Sequence, residues 1–412
     1  MRIVKDCKRY AFGILDEVLT PSPDRIPVDC AVAGPCGGCS LRHLDYAAEL
    51  RAKQENVADA FARIGGLDVP VLPIVGSPEV NRYRNKVQFP VGVDKSGKPC
   101  IGFYAGRTHR IVPCPDCRLQ PGVLNEIGNA LCAFFAEKGI QPYSEETGRG
   151  LVRHIFLRRG AHSGQIMVCL VCTRARLPSA EELCTRLKAQ FAEITTILLN
   201  VNAKNTNVIL GTETHTLYGQ GYIEDTLCGV PVQLGPLSFY QVNTLAAEQL
   251  YGIAAQYAQL TPDDLLLDLY CGMGTIGLSM AAHCRELIGV EIVPEAIESA
   301  KANAARMGAD VAAKSRFFCA DAGQAATRLA AEGLHPDIVM LDPPRKGCDE
   351  ATLSAVVRMS PRRVVYVSCN PATAARDAAW LEQNGYHAEK VQPVDLFPRT
   401  RHCECVLSLS KV

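Results

Sequence analysis

The chain has 412 residues, 48% of them hydrophobic, which suits two or three domains with sizeable cores rather than one ordinary domain. Lys plus Arg and Asp plus Glu number 43 each, so the formal net charge is zero and a uniformly basic nucleic-acid-binding protein is excluded. Any surface for RNA must therefore be a local patch. No apolar run approaches about 18 residues, so we expect no membrane partner.

Cysteine is unusually frequent, with 19 residues. Most of these cysteines have apolar neighbours, where the side chain behaves as a small hydrophobe, and an odd total does not suit a disulfide framework. The chain begins with charged residues and lacks the apolar core of a signal peptide. We therefore expect reduced thiols and a cytoplasmic protein.

The sequence of the N-terminal part of the chain predicts two small structural units. Residues 1–29 form a lead-in that is rich in proline towards its end, and residues 30–76 form a cysteine-containing loop followed by a helix. Apolar residues at helical spacing place that helix at 43–64, and two consecutive glycines end it.

The cysteine loop has the spacing of a metal site. Cys30, Cys36 and Cys39 follow a C-x5-C-x2-C pattern, and Cys114 or Cys117 is available as a fourth ligand. Four thiolates suit either structural zinc or an iron–sulfur cluster, and spacing alone leaves both open.

Residues 77–235 predict a central antiparallel α+β domain, because short strand-like runs and helical patterns are separated by Asn, Gly, Thr and Pro turns. The predicted strands are 86–93, 155–158, 166–172, 196–201 and 207–210, and the predicted helices are 121–138 and 179–192.

Residues 236–412 change to a regular alternation of apolar strands and helices, which predicts a doubly wound parallel sheet. The strands are expected at 264–270, 287–292, 315–320, 337–341 and 362–368, and the helices at 275–283, 295–307, 350–358 and 372–384. Two further runs, 387–394 and 403–410, predict an antiparallel hairpin at the edge of that sheet.

The first strand of this sheet leads into a glycine-rich turn. Residues 272–277 match G-x-G-x-x-G, which alone fits a nicotinamide enzyme as well as a methyltransferase. Glu291 ends the next strand and suits ribose hydroxyls in either case. Asp321 closes the third strand, and Asp342, followed by two prolines and Arg345, closes the fourth. The rigid Asp-Pro-Pro loop favours a methyltransferase.

The fifth strand ends at Cys369, which we interpret as a nucleophile. C5 of uracil is too weakly nucleophilic to take a methyl group directly, but a thiolate added to C6 makes C5 enolate-like, and a base must later remove the C5 proton. Glu404, at the start of the last strand, is the candidate base. Cys369 needs a lowered pKa, which Arg345 or the following helix N-terminus is expected to supply.

These motifs together resemble the RNA uracil-5-methyltransferase family, which includes bacterial 23S rRNA and tRNA enzymes. The matching segments are 239–243, 268–274, 342–347, 368–377 and 397–404. The resemblance implies a Rossmann-like class I methyltransferase domain, S-adenosylmethionine as methyl donor, Cys369 as nucleophile and Glu404 as base. It places Gln241, Tyr270, Glu291 and Asp342 in contact with the cofactor, and Thr275 and Asp321 near it.

The resemblance also interprets the rest of the chain. It implies a [4Fe–4S] cluster on Cys30, Cys36, Cys39 and Cys117, since the fourth cysteine of ribosomal members precedes a short Leu-containing segment. Many members begin with a complete TRAM-type barrel, whereas residues 1–29 match only a remnant, so RNA binding is expected to rest on the central region. The basic and aromatic stretches 82–86 and 107–110 are candidates for it.

The leading hypothesis is a monomeric methyltransferase for 23S rRNA, and a tRNA enzyme is the second. An RNA cytosine C5-methyltransferase would carry its cysteine where this chain has Asp-Pro-Pro-Arg, and an amino-group methyltransferase usually has an aromatic residue in place of Arg345. An inactive iron–sulfur RNA-binding protein would explain the cysteines but not the cofactor motifs.

Overall fold

A computed structural model describes residues 1–8, 10–106, 108–204 and 206–412 of the chain. Two seven-stranded sheets form the body of the protein, and two separate hairpins accompany them. No helix within the described ranges combines the length and apolarity that crossing a membrane requires.

The N-terminal segment begins with an antiparallel hairpin of strands β1 (Arg2–Cys7) and β2 (Tyr10–Ile14). After the short helix α1 (Ala33–Cys36), helix α2 (Tyr46–Ala60) starts at Asp45, whose carboxylate accepts the amide of Ala47 at 3.1 Å. A π-helical turn, Phe61–Gly65, continues α2, so the helix predicted at 43–64 is confirmed.

The central sheet has the strand order β5-β4-β3-β6-β7-β8-β9. Its pairs are antiparallel except for β7 and β8, which run parallel. Helices α3 and α4 pack on one face. The elements are β3 (Lys86–Val93), β4 (Pro99–Tyr104), β5 (Ile111–Pro113), α3 (Gly122–Glu137), β6 (Val152–Arg159), β7 (Ile166–Cys172), α4 (Ala180–Gln190), β8 (Ile194–Val201) and β9 (Glu213–Tyr218).

The strand predicted at 207–210 is wrong. The side chain of Asn202 donates to the carbonyls of Val208 and Ile209 at 2.7 and 3.0 Å, which holds this segment in a loop. The edge strand β9 therefore begins later, at Glu213.

The C-terminal sheet has the order β14-β13-β12-β15-β16-β18-β17, in which the first five strands are parallel, β18 runs antiparallel to β16, and β17 runs antiparallel to β18. The predicted doubly wound sheet with an antiparallel edge hairpin is confirmed. Its strands are β12 (Leu265–Leu269), β13 (Glu286–Glu291), β14 (Ser315–Cys319), β15 (Ile338–Leu341), β16 (Arg363–Ser368), β17 (Tyr386–Val394) and β18 (Glu404–Lys411).

Helices cover both faces of this sheet. They are α5 (Thr244–Ala258), α6 (Thr275–Met280), α7 (Pro294–Arg306), α8 (Ala309–Lys314), α9 (Ala322–Ala331), α10 (Glu350–Met359) and α11 (Pro371–Glu382). The sequence-based elements did not include α5, α8 or α9. The buried face of α9 consists mostly of alanine and glycine, which carry little hydrophobic periodicity.

The two sheets share a core. The hairpin of β10 (Ile223–Leu227) and β11 (Val230–Leu234), together with α5, packs between them, and residues of both sheets belong to the same buried cluster. On the other face of the C-terminal sheet, Val57 and Phe61 at the end of α2 pack with residues of α10 and α11. The cysteine-bearing N-terminal segment is therefore built onto the methyltransferase-like sheet.

Candidate active site

Cys369 and Glu404 meet at one end of the C-terminal sheet because of the strand register. The antiparallel pairing of β16 with β18 ends at Ser368 opposite Cys405. The residue after Ser368 and the residue before Cys405 thus lie at the same edge. Cys369 is half-buried, and Glu404 is 7% exposed.

The surroundings of this pair are acidic and poorly solvated, with one nearby cation. The pKa of Glu404 is raised to about 8, because burial and the neighbouring Asp342 raise it by more than Arg345 lowers it. Burial likewise raises the pKa of Asp342 to about 7. A carboxyl group that titrates near neutral pH suits proton transfer.

The direction of the Cys369 pKa corrects one expectation. Burial, Glu404 and Asp342 raise it, while the charge and hydrogen bond of Arg345 lower it. Arg345 acts as predicted, but burial and the two carboxyl groups outweigh it in the protein without ligands.

The loop that carries Asp342 and Arg345 is held by the residues that follow Cys369. The side chain of Asn370 donates to the carbonyl of Arg345 at 2.9 Å, and Asp377 accepts the amide of Cys348 at 2.8 Å. Helix α11, which begins at Pro371, therefore fixes the geometry between the thiol and the Asp-Pro-Pro-Arg loop.

The glycine turn lies at the carboxyl end of β12. Tyr270, Gly272 and Gly274 all have positive φ, and a Cβ on Gly274 would approach a side-chain atom of Leu278 at 3.1 Å. At Gly272 a Cβ would meet no atom within 4 Å, so the backbone there is open. A turn of this kind lets a ligand approach the main chain closely.

Glu291 joins the glycine turn to the end of β13. Its carboxylate accepts the amide of Gly272 at 3.1 Å and the amide of Val293 at 3.0 Å. Its remaining lone pairs can accept from hydroxyl groups of a ligand.

Gln241 and Thr275 are brought together by Tyr251, a residue that the sequence reading missed. Tyr251 is 3% exposed; burial raises its pKa, and the neighbouring side chains of Gln241 and Thr275 lower it. A tyrosine within α5 gives no motif signal, so only the fold reveals this role. The backbone carbonyl of Gln241 also accepts the side chain of Asn85 at 2.8 Å.

Tyr270 and Asp321 lie towards α9 and α10. The hydroxyl of Tyr270 is 3.4 Å from that of Thr352. Asp321 caps α9 by accepting the amide of Gln324 at 3.1 Å, and it lines an open cavity of about 440 Å³ together with Asp349. Within the described ranges, neither residue makes a direct contact with Cys369.

Asp268 is a second residue without an assigned role in the sequence reading. It is 1% exposed; one carboxylate oxygen accepts the amide of Gly277 at 3.0 Å, and the other has no hydrogen-bond partner. Burial raises its pKa to about 8. It ties β12 to α6 beneath the glycine turn.

A family model described as tRNA (uracil-5-)-methyltransferase matches residues 161–412. An uncharacterized RNA methyltransferase of Bacillus cereus is 42% identical, covering 100% of this chain and 89% of the relative. Another, from Halalkalibacterium halodurans, is 43% identical, covering 99% of this chain and 88% of the relative. The chain belongs to the RNA uracil-5-methyltransferase family.

A solved structure agrees with this assignment. The tRNA (uracil-54, C5)-methyltransferase of Pyrococcus abyssi, in complex with S-adenosyl-L-homocysteine, superposes with a TM-score of 0.79 at 26% identity, covering 99% of this chain and 92% of that one. The chain is thus an S-adenosylmethionine-dependent RNA methyltransferase with a Rossmann-like sheet.

This uracil-5-methyltransferase brings five of its thiols to one small cavity, which Arg42 also lines. The cysteines are Cys30, Cys36, Cys39, Cys114 and Cys117. All 19 cysteines are free. Across the described ranges, no group of three or more His, Cys, Asp or Glu side chains is arranged to hold a metal ion. The cavity measures about 20 Å³, too small for a guest without some rearrangement of the thiols.

In the stretch 82–86, the structure contradicts the stacking role expected for its aromatic residue. Tyr83 is 5% exposed and donates to the carbonyl of Pro398 at 3.0 Å, so its ring is not available to stack on a base. Arg82 donates to the carbonyls of Cys117 and Gln120 at 2.9 and 3.0 Å. The stretch instead links the cysteine cavity to the segment that leads to Glu404.

In the second candidate stretch, 107–110, Arg107 lies outside the described residues. His109 and Arg110 are exposed, and His109 pairs with Glu145.

Proposed function

We propose that this enzyme transfers a methyl group from S-adenosylmethionine to C5 of a uridine in 23S rRNA through a covalent bond between Cys369 and C6. The observation that carries the proposal is the register of β16 against β18, which sets a thiol and a buried carboxyl group at one sheet edge. Both groups are needed for this reaction and neither suffices alone.

The residues have separate tasks in the proposed reaction. The thiolate of Cys369 adds to C6, and the C5–C6 electron pair moves to give an enolate. C5 then takes the methyl group, whose bond to the cofactor sulfur breaks and leaves S-adenosylhomocysteine. Glu404 accepts the C5 proton, the double bond re-forms, and the thiolate leaves. Arg345, beside both side chains, stabilises the thiolate.

The cofactor is proposed to lie across the carboxyl ends of β12, β13 and β15. Its contacts would come from Gln241, Tyr270, Thr275, Glu291, Asp321 and Asp342. The open backbone at Gly272 and the free lone pairs of Glu291 support this position. Support is weaker for Tyr270 and Asp321, which have structural partners of their own.

A [4Fe–4S] cluster is proposed on Cys30, Cys36, Cys39 and Cys117. The convergence of thiols on one cavity supports it, as does Arg42, which lines the same cavity and whose buried Nε has no hydrogen-bond partner in the part of the chain that the structure describes. Such a cluster would bind the cysteine loop covalently to the segment after β5 and could exchange single electrons.

We favour 23S rRNA as substrate because the cysteine set matches the pattern of ribosomal family members. The named target of the Pyrococcus abyssi structure supports tRNA as the second candidate. We propose that the enzyme acts as a monomer in the cytoplasm.

Two measurements test the proposal. Mapping of 5-methyluridine in a deletion strain should show its loss from 23S rRNA; a loss from tRNA alone would shift the substrate to the second candidate, and no loss from either would refute an RNA uridine target. RNA containing 5-fluorouridine should form a stable covalent adduct, because fluorine cannot leave as a proton. Cys369→Ala should abolish the adduct, whereas Cys319→Ala, an exposed cysteine, should retain it.

A further inference from the structure

Arg42 is a buried cation at the wall of the cysteine cavity. Its side chain is 3% exposed, and it lines the cavity together with the five cysteines. One terminal nitrogen donates to Asp29 at 2.6 Å and the other to Asn81 at 3.1 Å. The third nitrogen, Nε, is buried and has no hydrogen-bond partner among the described residues.

An unpaired buried donor of this kind needs an explanation, because leaving it unsatisfied costs free energy. Its carboxylate partner within the described part of the chain, Asp29, is 51% exposed and so compensates the buried charge incompletely. Thiols are weak acceptors, whereas thiolates and sulfides bound to iron carry negative charge and accept N–H groups. The wall is therefore complementary to an anionic, sulfur-rich guest.

The two hydrogen-bond partners of Arg42 lie next to residues that flank or hold the proposed ligands. Asp29 directly precedes Cys30, and Asn81 directly precedes Arg82, which donates to the carbonyl of Cys117. The guanidinium group of Arg42 thus joins the segment that begins the cysteine loop to the segment whose Arg82 holds Cys117. A lysine has a single rotatable donor group and cannot make this clamp.

We propose that Arg42 donates its Nε–H to a sulfur atom of the cluster or of its thiolate ligands and raises the cluster's reduction potential. This inference rests on the proposed cluster. Hydrogen bonds and positive charge near the sulfurs favour the reduced, more negative form, so Arg42 is a positioning and tuning residue that acts through the cluster.

The test uses full-length protein reconstituted without oxygen from ferrous iron and sulfide. Wild type is compared with Arg42→Gln, with Arg42→Lys and with Arg118→Gln, a control that removes the other arginine at this cavity, whose side chain is 44% exposed. Iron and sulfide per chain are measured first, and the reduced fraction is then followed by electron paramagnetic resonance against potential.

We expect Arg42→Gln to lower the ratio of reduced to oxidised cluster about tenfold at a fixed potential, which corresponds to about 59 mV for a one-electron couple. Arg118→Gln should leave the ratio within about twofold, because an exposed charge is screened by solvent. Arg42→Lys should fall between wild type and Arg42→Gln.

A second readout does not depend on how Arg42→Gln folds. It uses Arg118→Gln protein labelled with ¹⁵N at arginine. Pulsed electron paramagnetic resonance of the reduced cluster should detect a coupling to the ¹⁵N of Arg42. A loaded Arg118→Gln protein with no such coupling, or an unchanged potential in a loaded Arg42→Gln protein, overturns the role of Arg42. A wild-type protein that binds neither iron nor sulfide overturns the cluster itself, and the adduct assay for Cys369 remains a separate test.

Discussion

Lys53 Nζ lies 2.8 Å from Asp395 Oδ1, and this ion pair joins helix α2 to the segment that leads to Glu404. Both side chains are almost fully buried, and Glu49, equally buried, lies 2.7 Å from the same ammonium group. Lys53 also donates to the carbonyl of Phe397, and Glu49 accepts the amide of Arg399 at 2.7 Å. The cysteine-bearing segment thus determines the path of the chain into β18.

Removing the ammonium group should destabilise the protein strongly. Lys53→Met leaves Asp395 buried without its cation and leaves Glu49 with only the longer pair to Arg399 at 3.6 Å, which is expected to lower the free energy of unfolding by about 3–5 kcal/mol. Urea denaturation measures this change. The control is Arg63→Met, which breaks an exposed pair with Asp59 and should cost less than about 1 kcal/mol. Equal effects of the two substitutions would show that the buried pair contributes no more than a surface one.

Glu404→Gln should separate the two halves of the proposed reaction. The amide cannot accept the C5 proton, so the thiolate of Cys369 should add to C6 and the methyl group should transfer, but release of the product should slow. Turnover is expected to fall about 10²–10⁴-fold. Gel electrophoresis under denaturing conditions should then show a covalent complex with ordinary, unfluorinated RNA. Absence of that complex, with Cys369 intact and cofactor bound, would assign the base to another group.

The buried carboxyl groups should make stability depend on pH. The pKa of Glu404 in the folded protein is about 8, above its usual value of 4.5, so the folded state binds this proton more tightly than the unfolded state. Its contribution to stability is fully present below about pH 4.5 and is lost as the pH rises through 8.

This dependence can be measured by urea denaturation between pH 5 and 9. In that window each such group contributes a slope of up to about 1.4 kcal/mol per pH unit. Glu404→Gln carries no titrating proton, so its stability should fall less steeply with pH than that of the wild type. Parallel curves for the two proteins would contradict the raised pKa.

The C-terminal half could largely be predicted from sequence because its apolar strands alternate with helices and each motif follows a strand end. The juxtaposition of Cys369 and Glu404 depends on the pairing of β16 with β18, which periodicity alone does not determine. The burial of Tyr83 depends on its contact with Pro398, 315 residues away in sequence, so the surface position that its basic neighbours suggested for Tyr83 is wrong. Tyr251 and Arg42 lie outside any motif, and only their buried partners reveal them.

Glu291 provides a direct test of the proposed cofactor position. Its carboxylate holds the amide of Gly272 and has lone pairs left for ribose hydroxyls, so Glu291→Ala should remove both a support of the turn and a ligand contact. A hydrogen bond to a charged group contributes about 1.5–3 kcal/mol, which predicts a dissociation constant for S-adenosylhomocysteine that is roughly 10- to 150-fold larger than in the wild type. Titration calorimetry measures this constant. Glu295→Ala, an exposed carboxylate in the first turn of α7, is the matched control and should bind normally. If both variants bind S-adenosylhomocysteine as tightly as the wild type, the ribose does not lie at the end of β13.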